Sequence, residues 1–365
     1  MKSIIITVLV ISLISFVLAL LLTLADKYIA DYGEVTLKIN DKDPVTVPGG
    51  NSLLSTLRDQ KVFIPSACGG KGSCGYCKVK VLKGGGPVLA TEKPWLSNEE
   101  MESHTRLSCQ LKVKENIEIE IPEELFNVKE YDTKVVNIED VTDRIKKITF
   151  ELPEGEEIKF KPGQYMQLKA PEYEGNDEEV YRAYSIASSA KDKRHIELLI
   201  GFTGGIATTY VHKFLKVGDT VNLNGPYGDF YYKDDDGEKM VFVATGTGFA
   251  PIRSILYHMK DNDIKREAVF IFGSKTTKDL FLLDELKMFE DSLNFKFMPV
   301  LSRVTDEMNW KGDTGHVDDS IRKHLINGEK YACYLCGSPR VIDSTVAALK
   351  EKGVSEDKIF YDKFE

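Results

Sequence analysis

Three cysteines crowd into one glycine-rich stretch, Cys68-Gly-Gly-Lys-Gly-Ser-Cys74-Gly-Tyr-Cys77, and a fourth, Cys109, stands apart in Leu107-Ser-Cys-Gln. The fold must bring Cys109 back to that loop if the four are to act together. Gly69, Gly70, Gly72 and Gly75 have a physical task in such a loop. It must wrap closely round a small inorganic core, aim backbone N–H groups at its sulfurs and accept positive φ. Six cysteines among 365 residues are too few for a disulfide scaffold, so their crowding points to metal chemistry.

The spacing C-x5-C-x2-C…C then discriminates between metals. Four thiolates hold a [2Fe–2S] cluster in plant-type ferredoxins, whose C-x4-C-x2-C…C is one residue shorter in the first gap. Structural zinc is the alternative, but it favours paired short spacings or a histidine pair. The sequence therefore reads as a [2Fe–2S] site with Cys68, Cys74, Cys77 and Cys109 as ligands. The six histidines, at 104, 195, 212, 258, 316 and 324, show no ligand spacing and read as surface or core residues.

Composition is that of a folded chain, 42% hydrophobic and 29% charged, with 48 basic against 57 acidic residues and a net charge of −9. That balance excludes a disordered chain and lacks the basic surplus of a nucleic-acid binder. The first residues depart from the average. From Ile4 to Ala25 there is no charge. About 22 residues of helix would span about 33 Å, enough for a hydrocarbon core of roughly 30 Å. A cleaved signal peptide is the other reading, but its apolar region runs only about 7–15 residues. Lys2 before the span and Asp26, Lys27 and Asp31 after it lean towards a cytoplasmic N-terminus. The cofactors argued below belong in a reducing compartment and point the other way.

Behind this segment the chain falls into three blocks, giving four expected parts. Residues 1–30 are a transmembrane anchor. Residues 33–126 form a β-grasp, ferredoxin-like α+β domain, with Val35-Thr-Leu-Lys-Ile-Asn-Asp as a strand, Pro44-Val-Thr-Val-Pro as its hairpin partner and Ser52-Leu-Leu-Ser-Thr-Leu-Arg at helical spacing. Residues 130–232 alternate short strands with Gly and Pro turns, as in a small antiparallel β-barrel. Residues 236–365 carry the apolar runs Met240-Val-Phe-Val-Ala, Ala268-Val-Phe-Ile-Phe and Tyr331-Ala-Cys-Tyr-Leu-Cys, as in an α/β domain with a parallel sheet covered on both faces.

Arg182-Ala-Tyr-Ser185 on a barrel strand resembles the R-x-Y-S flavin signature of the ferredoxin–NADP reductase superfamily. The resemblance implies an FAD site in which Tyr184 lies against the isoalloxazine, Ser185 bonds its N5 region and Arg182 pairs with the pyrophosphate. The bland reading is a core tyrosine beside a surface arginine. Gly204-Gly205-Ile-Ala-Thr208 opens a helical stretch, a natural phosphate site, and matches the second flavin element through Gly205 and Thr208. Gly246-Thr-Gly248-Phe-Ala-Pro251 after a buried strand matches the superfamily's G-x-G-x-A-P nucleotide turn, although the third glycine of a full dinucleotide fingerprint is absent. Cys336-Gly337-Ser-Pro matches its nicotinamide-side C-G-x-P, which implies that Cys336 faces the nicotinamide. Cys333 reads as core packing, with a Cys333–Cys336 disulfide or metal pair as the other possibility.

Over almost its whole length the chain resembles the F subunit of the Na⁺-translocating NADH:quinone oxidoreductases. The likeness rests on the N-terminal span, Ser66-Ala-Cys-Gly-Gly-x-Gly-Ser-Cys-Gly-x-Cys, Ile121-Pro-Glu-Glu-Leu-Phe, Arg182-Ala-Tyr-Ser and Tyr361-Asp-Lys-Phe364. It implies that Phe364 covers the flavin's nicotinamide face. It implies an NADH:acceptor oxidoreductase passing electrons from NADH through FAD and [2Fe–2S] to integral membrane redox subunits, single-pass in a bacterial inner membrane with its cofactor domains cytoplasmic. Quinone would be reduced by those partners. One departure stands out: between Ala170-Pro and Arg182 the family carries an insertion, where this chain has the short acidic loop Glu172-Tyr-Glu-Gly-Asn-Asp-Glu-Glu. Two other readings stay open, a reductase feeding an oxygenase or another terminal acceptor, and a tethered ferredoxin carrier whose reductase half is structural. Ser302-Arg303, expected after the fourth strand of the nucleotide domain, suits the 2′-phosphate of NADPH, whereas Asp306 and Glu307 oppose it. NADH is the reading adopted.

Overall fold

A computed structural model of the chain describes residues 2–29, 32–66, 68–234 and 238–364. It divides into two compact units, Met1–Asn127 and Val128–Glu365.

The first unit begins with a single helix, α1 (Lys2–Ile29). Val8, Leu9, Val10 and Ile11 point in four directions round its axis and are 57, 63, 49 and 58% exposed. Among the described residues no helix is long and apolar enough to cross a membrane. Side chains of α1 are described from Ile6 to Leu21. The side chains of Lys2, Asp26 and Lys27, and the whole of Asp31, lie outside the described residues.

Five strands follow: β1 (Glu34–Ile39), β2 (Val45–Pro48), β3 (Lys78–Lys83), β4 (Thr105–Leu107) and β5 (Ile117–Glu120). Their order is β2-β1-β5-β3-β4, with β1 and β5 parallel, which is the β-grasp arrangement. Val35, Leu37 and Ile39 alternate inward and meet Leu53, Leu54 and Leu57 of α2 (Leu53–Asp59) in one core. Ser52 caps α2, its Oγ accepting from the Ser55 amide at 3.2 Å. A short α3 (Asn98–Glu102), closed by a Ser97/Glu100 capping box, leads into β4.

The second unit opens with an antiparallel sheet of β6 (Lys129–Thr142), β7 (Ile145–Glu151), β8 (Tyr165–Ala170), β9 (Val180–Ser185), β10 (His195–Gly201) and β11 (Thr220–Tyr227), in the order β10-β7-β6-β11-β8-β9. A bridge between Ile186 and Leu198 joins the two edges and closes the barrel. A helical turn, α4 (Ile206–Thr209), runs into one π-turn over Tyr210–Phe214.

A wholly parallel sheet then alternates with helices: β12 (Lys239–Thr245), α5 (Phe249–Asp261), β13 (Ala268–Ser274), α6 (Leu283–Ser292), β14 (Phe295–Leu301), β15 (Asp313–Thr314), α7 (Val317–His324), β16 (Tyr331–Gly337), α8 (Pro339–Glu351) and β17 (Ile359–Lys363). Its order is β15-β14-β13-β12-β16-β17. Met240, Phe242 and Ala244 face one core, Val241 and Val243 the other, so a continuous apolar run is buried on both sides. The same alternation puts Cys336 in the first core and Cys333 in the second, on opposite faces of β16, which rules out a bond between them. One expectation needs correcting. Ser302-Arg303 follows β14, the third strand of this domain and not the fourth, because only β12 and β13 precede it.

Candidate functional site

In the first unit the cysteine loop hangs between α2 and β3. Gly69, Gly70, Gly72 and Gly75 have φ of 65, 90, 75 and 71°, a region that residues with a Cβ enter only under strain. The curled backbone aims amides at the thiols: Ser73 and Gly70 at Cys68, Tyr76 at Cys74, and Gly72 at Cys109. The turn bearing Cys109 is drawn in by backbone bonds. The Leu54 amide donates to the Ser108 carbonyl at 3.0 Å, and the Ser108 amide to the Cys77 carbonyl at 2.8 Å.

The thiols stand as two pairs. Cys68 and Cys74 sulfurs are 3.4 Å apart, and Cys77 hydrogen-bonds Cys109. Within each pair one thiol serves the other, so the Cys74 hydrogen bond lowers the Cys68 thiol and the Cys77 hydrogen bond lowers that of Cys109. Among the described residues no three His, Cys, Asp or Glu side chains gather to hold a single ion. A soft donor set arranged two and two, ringed by amides, fits a binuclear thiolate-ligated cluster. Sequence reasoning missed the support beneath it. Arg106 and Glu92, 3% and 0% exposed, form a bidentate pair with Nε–Oε1 at 2.9 Å and Nη2–Oε2 at 2.6 Å. Glu92 also accepts from the Leu89 and Leu107 amides, clamping β4 two residues before Cys109.

In the second unit Arg182, Tyr184 and Ser185 end β9. Arg182 and Tyr184 are half-buried and share one face, and Ser185 is 7% exposed. Tyr184 packs on the barrel core, and burial raises its phenol well above the usual range, so it stays neutral. Gly205 is the N-cap of α4 and no side chain caps that helix start. Thr208 Oγ1 donates to the Gly205 carbonyl at 3.1 Å and lies 3.2 Å from Thr203 Oγ1. An uncapped turn of small residues fits a phosphate. Tyr173 of the acidic loop lies over this element, its ring 4.7 Å from that of Phe214 and its hydroxyl donating to the Ile206 carbonyl at 3.0 Å.

In the parallel-sheet domain Gly248 lies against Cys336 where β12 and β16 end, Gly246 opens the same turn, Pro251 lies in the first turn of α5, and Gly337 pairs with Phe364. Cys336 is fully buried, which pushes its thiol up. The Phe364 amide donates to the Gly337 carbonyl at 2.8 Å, extending the β16–β17 pairing, and its ring packs on the Cys336 core. Beside them opens a cleft of about 910 Å³ over the ends of β12, β13 and β14. Of the residues picked from sequence as ligands, Gly246 and Ser302 line it. Arg144, Lys275 and Arg340 line it too and were not anticipated. Lys275 and Arg340 each directly follow a strand end or a helix-opening proline, the position from which a cation reaches a crevice ligand in an open α/β sheet. Ser302 lines the cleft. Arg303, Asp306 and Glu307 are exposed and do not.

The chain matches three family models in succession: a 2Fe-2S iron-sulfur cluster binding domain over 37–114, an oxidoreductase FAD-binding domain over 132–232 and an oxidoreductase NAD-binding domain over 242–347. The F subunit of the Na(+)-translocating NADH-quinone reductase of Neisseria meningitidis is 34% identical across 99% of both chains. The chain belongs to that family. The F subunit of the Idiomarina loihiensis enzyme is 35% identical over 97% of each chain. The Neisseria alignment spans 403 positions, more than this chain's 365 residues, so the Neisseria protein carries segments absent here. Among solved structures, an Amycolatopsis cytochrome P450 reductase is similar with TM-score 0.72 and 27% identity, covering 90% of this chain and 98% of that one. The ferredoxin reductase of a carbazole 1,9a-dioxygenase gives 0.70 and 25%, covering 91% and 99%.

Proposed function

We propose that this protein is the electron-input component of a quinone-reducing, ion-translocating membrane complex, oxidising NADH and passing electrons to partner redox subunits. The observation that carries the reading is the full-length kinship with the F subunits of such complexes, joined to a thiol loop and a nucleotide cleft in one chain. FAD held by this barrel would supply the exchange between a two-electron hydride donor and a one-electron iron–sulfur acceptor.

The chain's own residues do the positioning. Cys68, Cys74, Cys77 and Cys109 would hold the cluster. Arg182, Gly205 and Thr208 would hold the FAD phosphates, with Tyr184 and Ser185 as the residues that would bind its flavin ring. Gly246, Gly248 and Pro251 let the backbone approach the NADH pyrophosphate, with Arg144, Lys275 and Arg340 supplying positive charge along the cleft. Cys336 and Gly337 would bind on the nicotinamide side, and Phe364 would shield the flavin from water. Helix α1 would anchor the protein in the inner membrane, since the apolar side chains described between Ile6 and Leu21 are exposed and call for an apolar surrounding. The cofactor domains lie on the cytoplasmic side, where NADH and thiolates belong.

A second reading, a reductase serving an oxygenase, draws on the two solved relatives named for that role. Anaerobic stopped-flow mixing of holoprotein with NADH tests the first part: flavin bleaching followed by the reduced-cluster EPR signal is expected. Flavin that stays oxidised would turn the protein into a tethered carrier. Co-purification from membranes with NADH:quinone activity, or with an oxygenase instead, decides between the two acceptors.

A further inference from the structure

The nucleotide turn continues as Phe249-Ala-Pro-Ile-Arg253-Ser254, and nothing above uses the last two residues. Arg253 lies on α5 with its side chain only 3% exposed, where an unpaired charge is not tolerated. It is saturated. Its Nε and Nη2 grip Glu285 of α6 at 2.7 and 3.0 Å. Its Nη1 donates to Glu197 of β10 at 2.7 Å and to the main-chain carbonyl of Ala187 at 2.7 Å. Next to it, the fully buried Ser254 donates to the Ser188 carbonyl at 2.8 Å. Lys147 of β7 offsets the second carboxylate, 3.9 Å from Glu285. The cluster thus joins the barrel to the parallel-sheet domain.

Its placement along the chain gives it meaning. Ala187 lies two residues past Ser185, about 7 Å of extended chain. Arg253 lies five residues past Gly248, about 7.5 Å along a helix. The bonds therefore tie the backbone leaving the flavin strand to the helix leaving the nucleotide turn, over short and stiff levers. A guanidinium does this where an ammonium cannot, because its planar fork fixes three directions at once. We propose that Arg253, seconded by Ser254, is a positioning residue for hydride transfer, setting the Gly246–Gly248 turn in register with the Tyr184-Ser185 strand. The proposal rests on the NADH-to-flavin reading above. Misplacement of reacting atoms by about 1 Å is enough to slow a reaction on the order of a hundredfold.

The test is Arg253→Lys in the full-length holoprotein, which keeps the charge and loses the fork. Bound FAD and the NADH dissociation constant are expected within about threefold of wild type, while flavin bleaching at saturating NADH slows about tenfold or more. Amide hydrogen exchange over residues 186–189 and 246–250 is expected to quicken in the cofactor-free protein. A bleaching rate per bound flavin within about twofold of wild type overturns the proposal, including the case where only the melting temperature falls. Should Arg253→Lys not fold, Ser254→Ala removes a tie without touching a charge. It is expected to slow bleaching about threefold, and an unchanged rate overturns the proposal. Wild type run alongside separates the two readings, because wild type that binds FAD and NADH without bleaching refutes the electron-input reading itself.

Discussion

At Gly248 a methyl group would sit 2.4 Å from the Cys336 carbonyl oxygen, so only glycine lets the start of α5 lie against the end of β16. Single atoms matter equally in the thiol loop. Cys74→Ala removes one sulfur of the Cys68–Cys74 pair and is expected to abolish the visible and EPR signature of the cluster while flavin reduction by NADH survives. Cluster iron at wild-type stoichiometry in that variant would show that Cys74 is not a ligand. Arg303 presents the opposite case. It is exposed, outside the cleft, and its backbone amide bonds the Lys275 carbonyl at 2.8 Å. Arg303→Ala is therefore expected to leave kcat/KM for NADH within about threefold, under about one kcal/mol. Steady-state kinetics with both nucleotides checks this. A higher kcat/KM for NADPH that disappears in the variant would make Arg303 a 2′-phosphate ligand.

Elements are held in place by charges that sequence periodicity does not display. The two-residue strand β15 is pinned to α7 through Asp313, which accepts from Lys323 at 2.5 Å, Ser320 at 2.8 Å and His324 at 2.6 Å. Burial pushes its carboxyl up, but those three partners outweigh it and hold the group at about 2, below the usual 3.8. A carboxylate with a depressed folded pKa stabilises fully above the unfolded value and loses that contribution as pH falls through the folded one. Asp313 therefore contributes fully above about pH 4, and the contribution fades towards pH 2. Thermal melts of wild type and Asp313→Asn are expected to differ most near neutrality and to converge near the bottom of that window. A difference independent of pH would mean that Asp313 acts through shape and not charge. The same segment carries Gly315 and His316 to the cleft, so the pin also shapes the nucleotide site.

For the molecule as a whole the open physical matter is α1, whose described apolar side chains are exposed and stand outside the β-grasp core. Removing residues 1–26 is expected to release a protein that still oxidises NADH with ferricyanide, because no described residue of that segment takes part in the thiol loop, the barrel or the cleft. Fractionation after a carbonate wash measures it. Truncated protein that stays with the membrane, or that no longer folds, would assign the helix another task.

Local chemistry was legible in the sequence. Positive φ at four loop glycines, the β12-to-α5 turn and the alternating inward residues of β1 are each dictated by a few neighbouring residues, so residue type and spacing are enough to read them. Long-range partnership was not. Glu92 finds Arg106 across fourteen residues, Arg253 finds Glu197 across 56, and Tyr173 reaches Phe214. No periodicity marks such pairs, because each is chosen by where two separately folded segments happen to meet. The same holds for the cleft cations Arg144, Lys275 and Arg340, which lie far apart in the chain and share a site only once the barrel and the parallel sheet have packed. Sequence alone specified which chemistries the chain carries. Tertiary packing decided which charged groups face that chemistry, since a buried ion pair needs both partners desolvated together in one place.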